Sequence, residues 1–573
     1  MISSASRRGY LCALLIFCAV IGVFWQVRHF DFLSFDDPSY VYHNPMVTAG
    51  FTGQGVRWAF ADMATGHWHP LTWLSLMLDC EVFGVNAGAM HIENVVIHAL
   101  SSVLLFSILW RSTGALALAF VAALIFGVHP LRIESVVWIT ERKDVLSMFF
   151  GLVALRAYLS YTRDGGIGAY LVIVLGLSLS LLSKPTFVTL PALLLCFDIF
   201  PLRRLQFPSA LRSVRPLIVE KLPLCLISVG FCAVAVFGQH AGGGLQSTSA
   251  YPLGARFESA VVAYLAYLGK LFIPTGFGIF YPFEYYPPGV AAGTLCALIG
   301  FSGIIYAART AYPYVWAGWL WFLISLVPMV GFVQIGGQAF ADRWTYVPHI
   351  GVIVACVWWG AHRWADNRTL RVSVATIVPI IVASITWNQL PHWSDSRAVY
   401  EETLRVAPGN FMAHTNLASY FLDRSDLVNA GYHGEEAVRL NPTYPEALNN
   451  LGIVRAHQER YAEASRLFSE AITIRPSFVV ARYNYGLSLS RVGKPLAAVR
   501  EWIEVLIQSP SYGQARASAR SLIPFLSTAS CNELAAQDGG IGIARLEEVI
   551  SRWDPTPADG DLVVAVGRAA GCS

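Results

Sequence analysis

From Tyr10 to Trp387 the chain is a succession of apolar runs separated by short polar breaks. At about 15 to 20 residues, a run is long enough to cross a bilayer with little tilt. The segments 10–27, 92–110, 115–128, 145–161, 169–183, 186–200, 222–238, 259–281, 290–307, 313–333, 348–362 and 372–388 meet that description. Basic residues set their direction, because loops rich in Lys and Arg stay on the cytoplasmic side. Arg203, Arg204, Arg212, Arg215 and Lys221 mark one such loop, and Arg363, Arg368 and Arg371 mark another. Five runs lie between these two loops, an odd number, so one run does not cross. The segment 259–281 carries Lys270, Pro274, Gly276 and Gly278 and is expected to be broken or re-entrant, leaving eleven crossings.

After residue 389 the pattern changes to a repeat. Pro408, Pro442, Pro476 and Pro510 are 34 residues apart, as are Asn416, Asn450 and Asn484, and Ala430, Ala464 and Ala498. That period predicts tetratricopeptide helix pairs over 411–444, 445–478 and 479–512. Ala418, Gly452 and Gly486 permit close helix packing, and the prolines end each second helix. The expected organisation is a multi-span domain over 1–390 with its first outer loop at 28–90, repeats within 391–512, and a capping segment at 513–573. The fold class is all-α, a polytopic helical bundle followed by a solenoid.

Composition supports a membrane protein. Of 573 residues, 55% are hydrophobic and 13% charged, and the mean hydropathy is +0.51. A net charge of +3 without a basic block speaks against a nucleic-acid partner. Arg7 and Arg8 precede the first run and no small-residue cleavage site follows it, so an uncleaved anchor with a cytoplasmic N-terminus is expected. Most cysteines lie in apolar runs and read as small hydrophobes. Cys531 and Cys572 lie in the polar tail, where a disulfide would be compatible with an oxidising compartment.

In this setting the polar residues of the outer loops stand out. Asp36-Asp37 follows the first run by nine residues. A paired acid at the mouth of a span suits a general base whose neighbour binds the acceptor or raises its pKa; the plainer reading is a turn capping a helix that starts at Pro38. His67 and His69 share the same loop, and His91, Asn94 and His98 lie on one helical face. These histidines form no metal signature, and hydrogen bonding to substrate suits them better. Glu134, then Glu141-Arg142-Lys143-Asp144, flank an aromatic segment. Arg142 or Lys143 would neutralise a leaving phosphate, with Glu134 or Asp144 orienting them, although interfacial ion pairing accounts for the same pattern. Lys184 and Arg256 are further cations within reach of a lipid phosphate, and Asp342-Arg343-Trp344-Thr345-Tyr346 places an acid-base pair and two aromatics ahead of a span.

These blocks resemble the TMTC family of tetratricopeptide-containing O-mannosyltransferases and their bacterial relatives. The resemblance rests on Phe35-Asp36-Asp37, His69-Pro70-Leu71-Thr72, the stretch from Val128 to Ser135, Glu141-Arg142-Lys143-Asp144-Val145, Ser183-Lys184-Pro185 and Ala341 to Pro348, followed by the repeats. It implies a GT-C glycosyltransferase that transfers a sugar, mannose in the family, with inversion from a polyprenyl- or dolichyl-phosphate donor to Ser or Thr hydroxyls of a protein on the outer side. It also implies Asp36 as base and Asp37 as its helper in acceptor binding. Related protein mannosyltransferases carry Asp-Glu in this loop, and here the second acid is one methylene shorter. His67, His69 and His91 are the expected acceptor-side residues. Arg142, Lys143, Glu134, Asp144, Lys184, Arg256, Arg343 and Tyr346 are expected on the donor side. No cofactor or metal is expected, the repeats would present an acceptor polypeptide, and the setting expected is a bacterial cytoplasmic membrane with loop and repeats in the periplasm. Three other readings remain: transfer to a lipid or envelope glycan, a non-enzymatic scaffold, and a transporter. Against the last, the broken segment 259–281 has no twin.

Overall fold

A computed structural model describes residues 4–522 except 64–65, 206–210, 243 and 510–511. The chain divides into two compact units, Met1–Ala407 and Pro408–Ser573. Among the described residues both are helical, apart from an antiparallel ribbon of Tyr281–Pro282 with Gln338–Phe340 and one isolated bridge between Leu245 and Ile335.

Six helical stretches in the first unit are long and apolar enough to span a membrane: Arg7–His29, Ala87–Thr113, Ile139–Asp164, Leu222–His240, Pro288–Ala307 and Arg368–Trp393. The pair Leu116–Val128 and Pro130–Val137 would add a seventh, bent by 58°. The bend has a local cause. Pro130 disfavours helical geometry at the residue before it, and His129 is extended at φ −74 and ψ 137. Ile167–Ser183, Pro185–Ile199 and Pro313–Leu326 are apolar but shorter. Helix length alone therefore marks fewer spans than the eleven expected, because several apolar runs are cut by turns that carry polar side chains.

The segment 259–281 illustrates this. Its first part belongs to a continuous helix, Leu253–Phe272, and the break comes only at residues 273–287 ahead of Pro288–Ala307. Lys270, in the last turn of that helix, does not face lipid. Its Nζ donates to Asp342 Oδ1 at 2.6 Å, Tyr281 Oη at 2.6 Å and the Gly276 carbonyl at 3.0 Å.

The second unit follows the 34-residue period closely. Helix pairs Phe411–Leu422 with Leu427–Leu440, Pro445–His457 with Tyr461–Ile474, and Val479–Arg491 with Pro495–Gln508 are followed by Gly513–Leu522. The repeated small residues are explained by contact. A Cβ on Gly452 would lie 2.6 Å from the Phe468 ring, and one on Gly486 would lie 2.4 Å from Trp502 Nε1. Asn450 Nδ2 donates to the Thr415 carbonyl at 3.1 Å and Asn484 Nδ2 to Asn449 Oδ1 at 3.0 Å, linking first helices of successive repeats. Of the expected capping segment, only 513–522 falls within the described residues; 523–573, with Cys531 and Cys572, lies outside them. Gly486→Leu is expected to overpack this contact, at a cost of about 1–3 kcal/mol. The check is limited proteolysis of the intact protein, in which the repeat unit should become more susceptible to cleavage.

Candidate active site

The site is built where the loop after the first apolar helix meets the start of the helix Arg142–Asp164. Asp37 makes that junction. It is fully buried, and its Oδ2 accepts from the Leu33 amide at 2.7 Å, while Oδ1 accepts from the Thr140 amide at 3.1 Å and from the Thr140 hydroxyl. Both oxygens are thus engaged by the chain itself, so Asp37 is a positioning residue that fixes the loop against the turn Ile139–Glu141. Burial pushes its carboxyl up to about 6, opposed by these hydrogen bonds.

Asp36 differs in every respect. It is half-buried, and among the described residues its carboxylate accepts no hydrogen bond and joins no ion pair. Deep placement raises its pKa, and the nearby Lys143, Arg343 and Lys184 pull the other way. The free carboxylate and the bonded one are neighbours in sequence, but only Asp36 is available to a ligand.

The cations beside Asp36 converge on one carboxylate. Glu141 receives Lys184 Nζ at 2.8 Å, Arg343 Nε at 3.3 Å and Lys143 Nζ at 3.4 Å. Lys184 also meets Asp144 Oδ1 at 2.8 Å, and Asp144 Oδ2 accepts from Ser135 Oγ at 3.0 Å. Glu134 pairs with the Arg343 guanidinium and accepts from its backbone amide at 2.7 Å. Glu134, Lys143, Asp144, Lys184 and Arg343 therefore come together as the sequence suggests. Three cations face three carboxylates, all nearly buried, which makes the group close to neutral without Asp36. Lys143 Nζ lies 4.9 Å from the Tyr40 ring centre and 6.0 Å from that of Trp138, and the Arg343 guanidinium lies 5.4 Å from Trp138.

His67 and His69 line the same region. Burial, followed by the repulsion of Lys143 and Lys184, pushes His67 down to about 3. Burial, His67 and the same lysines hold His69 well below the usual imidazole range, so both rings are neutral. Gln239 Nε2 lies 2.9 Å from His67 Nδ1. His69 stacks on Tyr40 at 5.4 Å.

Four expected residues are placed elsewhere. Arg142 points away from Lys143 and joins Asp79 at 2.9 Å, Glu93 at 2.8 Å, Ser75 Oγ at 2.8 Å and the Met90 carbonyl at 3.0 Å, stapling three helices. Arg256 donates to the carbonyls of Tyr251, Gln246 and Ser247 and shapes its own loop. The Tyr346 hydroxyl is 2.6 Å from His98 Nδ1, inside the bundle. His91 is buried, with Nδ1 2.7 Å from the Val137 carbonyl and Nε2 3.3 Å from that of Asp31. Sequence reasoning did not single out Glu141, although it opens the densest charge run, nor the Lys270–Asp342 pair. Asp342 Oδ2 also accepts from Tyr281 Oη at 2.7 Å, so this pair anchors the turn Asp342–Thr345 that carries Arg343. Among the described residues, no three or more His, Cys, Asp or Glu side chains are grouped to hold a metal.

The contrast between the two acids is testable by stability. Asp37→Ala leaves the buried Leu33 and Thr140 amides unpaired and is expected to cost roughly 2–6 kcal/mol, at about 1–3 kcal/mol per orphaned group. Asp36→Asn removes no hydrogen bond and is expected to melt as wild type does. Thermal unfolding of the detergent-solubilised protein checks both.

Comparison with known proteins gives the following kinships. A tetratricopeptide-repeat family matches residues 392–445 and 435–477. Protein O-mannosyl-transferase TMTC1 of Homo sapiens is 24% identical over 488 residues, covering 73% of this chain and 54% of that protein. Protein O-mannosyl-transferase F38B6.6 of Caenorhabditis elegans is 24% identical over 448 residues, covering 73% and 61%. Protein O-mannosyl-transferase TMTC2 of Homo sapiens is 30% identical over 152 residues, 26% of this chain. The chain thus spans between half and two thirds of the length of the first two relatives.

Proposed function

We propose, from this likeness to the TMTC protein O-mannosyl-transferases, that the chain is a membrane glycosyltransferase that moves a sugar from a polyprenyl-phosphate donor to Ser or Thr hydroxyls of protein. The observation that carries the reading is the nearness of one unengaged carboxylate, Asp36, to the cations Lys143, Lys184 and Arg343 gathered on Glu141. Transfer from a lipid phosphate needs a base for the acceptor and positive charge for the leaving group.

In this reading the acceptor hydroxyl oxygen attacks the anomeric carbon from the face opposite the phosphate. The new oxygen–carbon bond forms as the bond from that carbon to the phosphate oxygen breaks. The hydroxyl proton passes to Asp36, and the electron pair leaves with the polyprenyl phosphate. The donor is a phosphodiester with one negative charge and the product a monoester approaching two, so the cations are worth more late in the reaction than in the ground state. Asp37 contributes by holding the loop that carries Asp36. The repeats supply a surface for the acceptor polypeptide, and the setting is the outer side of a bacterial cytoplasmic membrane.

The raised pKa of Asp36 sets a pH dependence. Only its ionised form accepts a proton, so activity is present above its pKa and lost as pH falls through it. The acidic limb is expected above the ordinary carboxylate value of about 4. Lys143→Met removes the cation that stabilises the carboxylate most strongly and is expected to move the limb to higher pH. Initial rates across a pH series check this; a limb at the ordinary carboxylate value that Lys143→Met leaves in place would contradict the assignment of Asp36.

Transfer of label from polyprenyl-phosphate mannose in membranes containing wild type or Asp36→Asn tests the reading as a whole. Labelled protein that disappears in the variant, by at least about 100-fold as for loss of a general base, is the expected outcome. Label in a lipid or glycan fraction would assign a different acceptor, and no Asp36-dependent label would reject the reading.

A further inference from the structure

Beyond the charged cluster, two buried nitrogens beside Lys143 have no hydrogen-bond partner among the described residues: His69 Nε2 and Trp138 Nε1. His69 is 2% exposed and Trp138 1%. A buried polar group left unpaired is costly, and in native proteins such a group calls for a ligand, a water or a functional reason. Trp73 Nε1 is orphaned too, in a ring that stacks on Tyr40 at 4.6 Å and lies 4.9 Å from His69 while packing into the apolar cluster of Val41, Leu76 and Met77. The other two are different because they flank the site. The Trp138 ring packs edge-on against Phe35 at 5.5 Å, next to Asp36, and lies under Lys143 and Arg343. His69 stacks on Tyr40, whose ring lies under Lys143 from the other side.

We infer that His69 Nε2 and Trp138 Nε1 bind hydroxyl groups of the donor's sugar. The inference rests on the proposed glycosyltransferase reading and adds to it the residues that see the sugar. Two lines of chemistry support it. The phosphate already has its partners in Lys143, Lys184 and Arg343, which leaves the two nitrogens for the rest of the donor head. The indole can only donate and the neutral imidazole can donate or accept, a combination that fits hydroxyl groups, which do both.

Trp138→Phe tests the inference, because it deletes the N–H and keeps an aromatic face for Lys143 and Arg343. The measurement is binding to the solubilised full-length protein, by native mass spectrometry, of polyprenyl-phosphate mannose and of sugar-free polyprenyl phosphate. His69→Phe, which keeps a ring against Tyr40, is measured in parallel, and thermal melting identifies any variant that fails to fold. Expected is a weakening of about tenfold for the mannosyl lipid, the loss of one hydrogen bond to a neutral group, with binding of the sugar-free lipid unchanged in at least one folded variant. Equal weakening for both lipids, or none for either, in the folded variants would overturn the inference while leaving the glycosyltransferase reading in place. Failure of the wild type to bind either lipid would reject that reading and the inference with it.

Discussion

The carboxylate of Glu141 is the point on which the site depends. Lys143, Lys184 and Arg343 are far apart in sequence, yet each reaches this one side chain. Three like charges in a poorly hydrated interior would repel one another strongly. Glu141, with Glu134 and Asp144, makes their meeting tolerable and leaves a nearly neutral, rigid platform. Removing one partner from such a network is far more damaging than replacing a surface pair, since the remaining charges stay buried.

Around that platform, the fold separates holding from acting. Asp37, Thr140, Asp342 and Lys270 have their polar atoms committed to the chain, and they fix the loop and the turn that deliver Asp36 and Arg343. Arg142 holds the neighbouring helices. Among the described residues, the Asp36 carboxylate, His69 Nε2 and Trp138 Nε1 lie at the site without a hydrogen-bond partner. Loops positioned by a rigid scaffold are where binding and catalysis concentrate, and committed neighbours are what make an uncommitted residue precise.

Much of this was legible in the sequence, for identifiable reasons. The 34-residue period fixed the helix pairs, because Gly452 and Gly486 meet large aromatics at equivalent places. Charges in apolar surroundings pointed to Glu134, Lys143, Asp144, Lys184 and Arg343, since an unmatched charge there is too costly to keep. What the sequence left open was direction. Arg142 and Lys143 are adjacent on a helix and so point about 100° apart, which sends one to Asp79 and the other to Glu141. Asp36 and Asp37 likewise look equivalent until the Leu33 and Thr140 amides are seen to take one of them. Tyr346, Arg256 and His91 share the chemistry of site residues, but their partners are long-range or belong to the backbone of their own loop, and no spacing rule reveals either. The break in the segment 259–281 was anticipated from Pro274, Gly276 and Gly278; it falls just after Leu253–Phe272, whose last turn carries the Lys270 that pairs with Asp342.

With Asp36 as the base, a lipid-linked sugar would face it, its phosphate held by the cations around Glu141. The most direct test is an experimental structure of the full chain in a lipid nanodisc with a non-transferable polyprenyl-phosphonate sugar. Expected is the phosphonate within hydrogen-bond distance of Lys143, Lys184 or Arg343, with the anomeric carbon on the side of Asp36. A phosphonate bound away from these three residues, or a sugar turned away from Asp36, would contradict this placement.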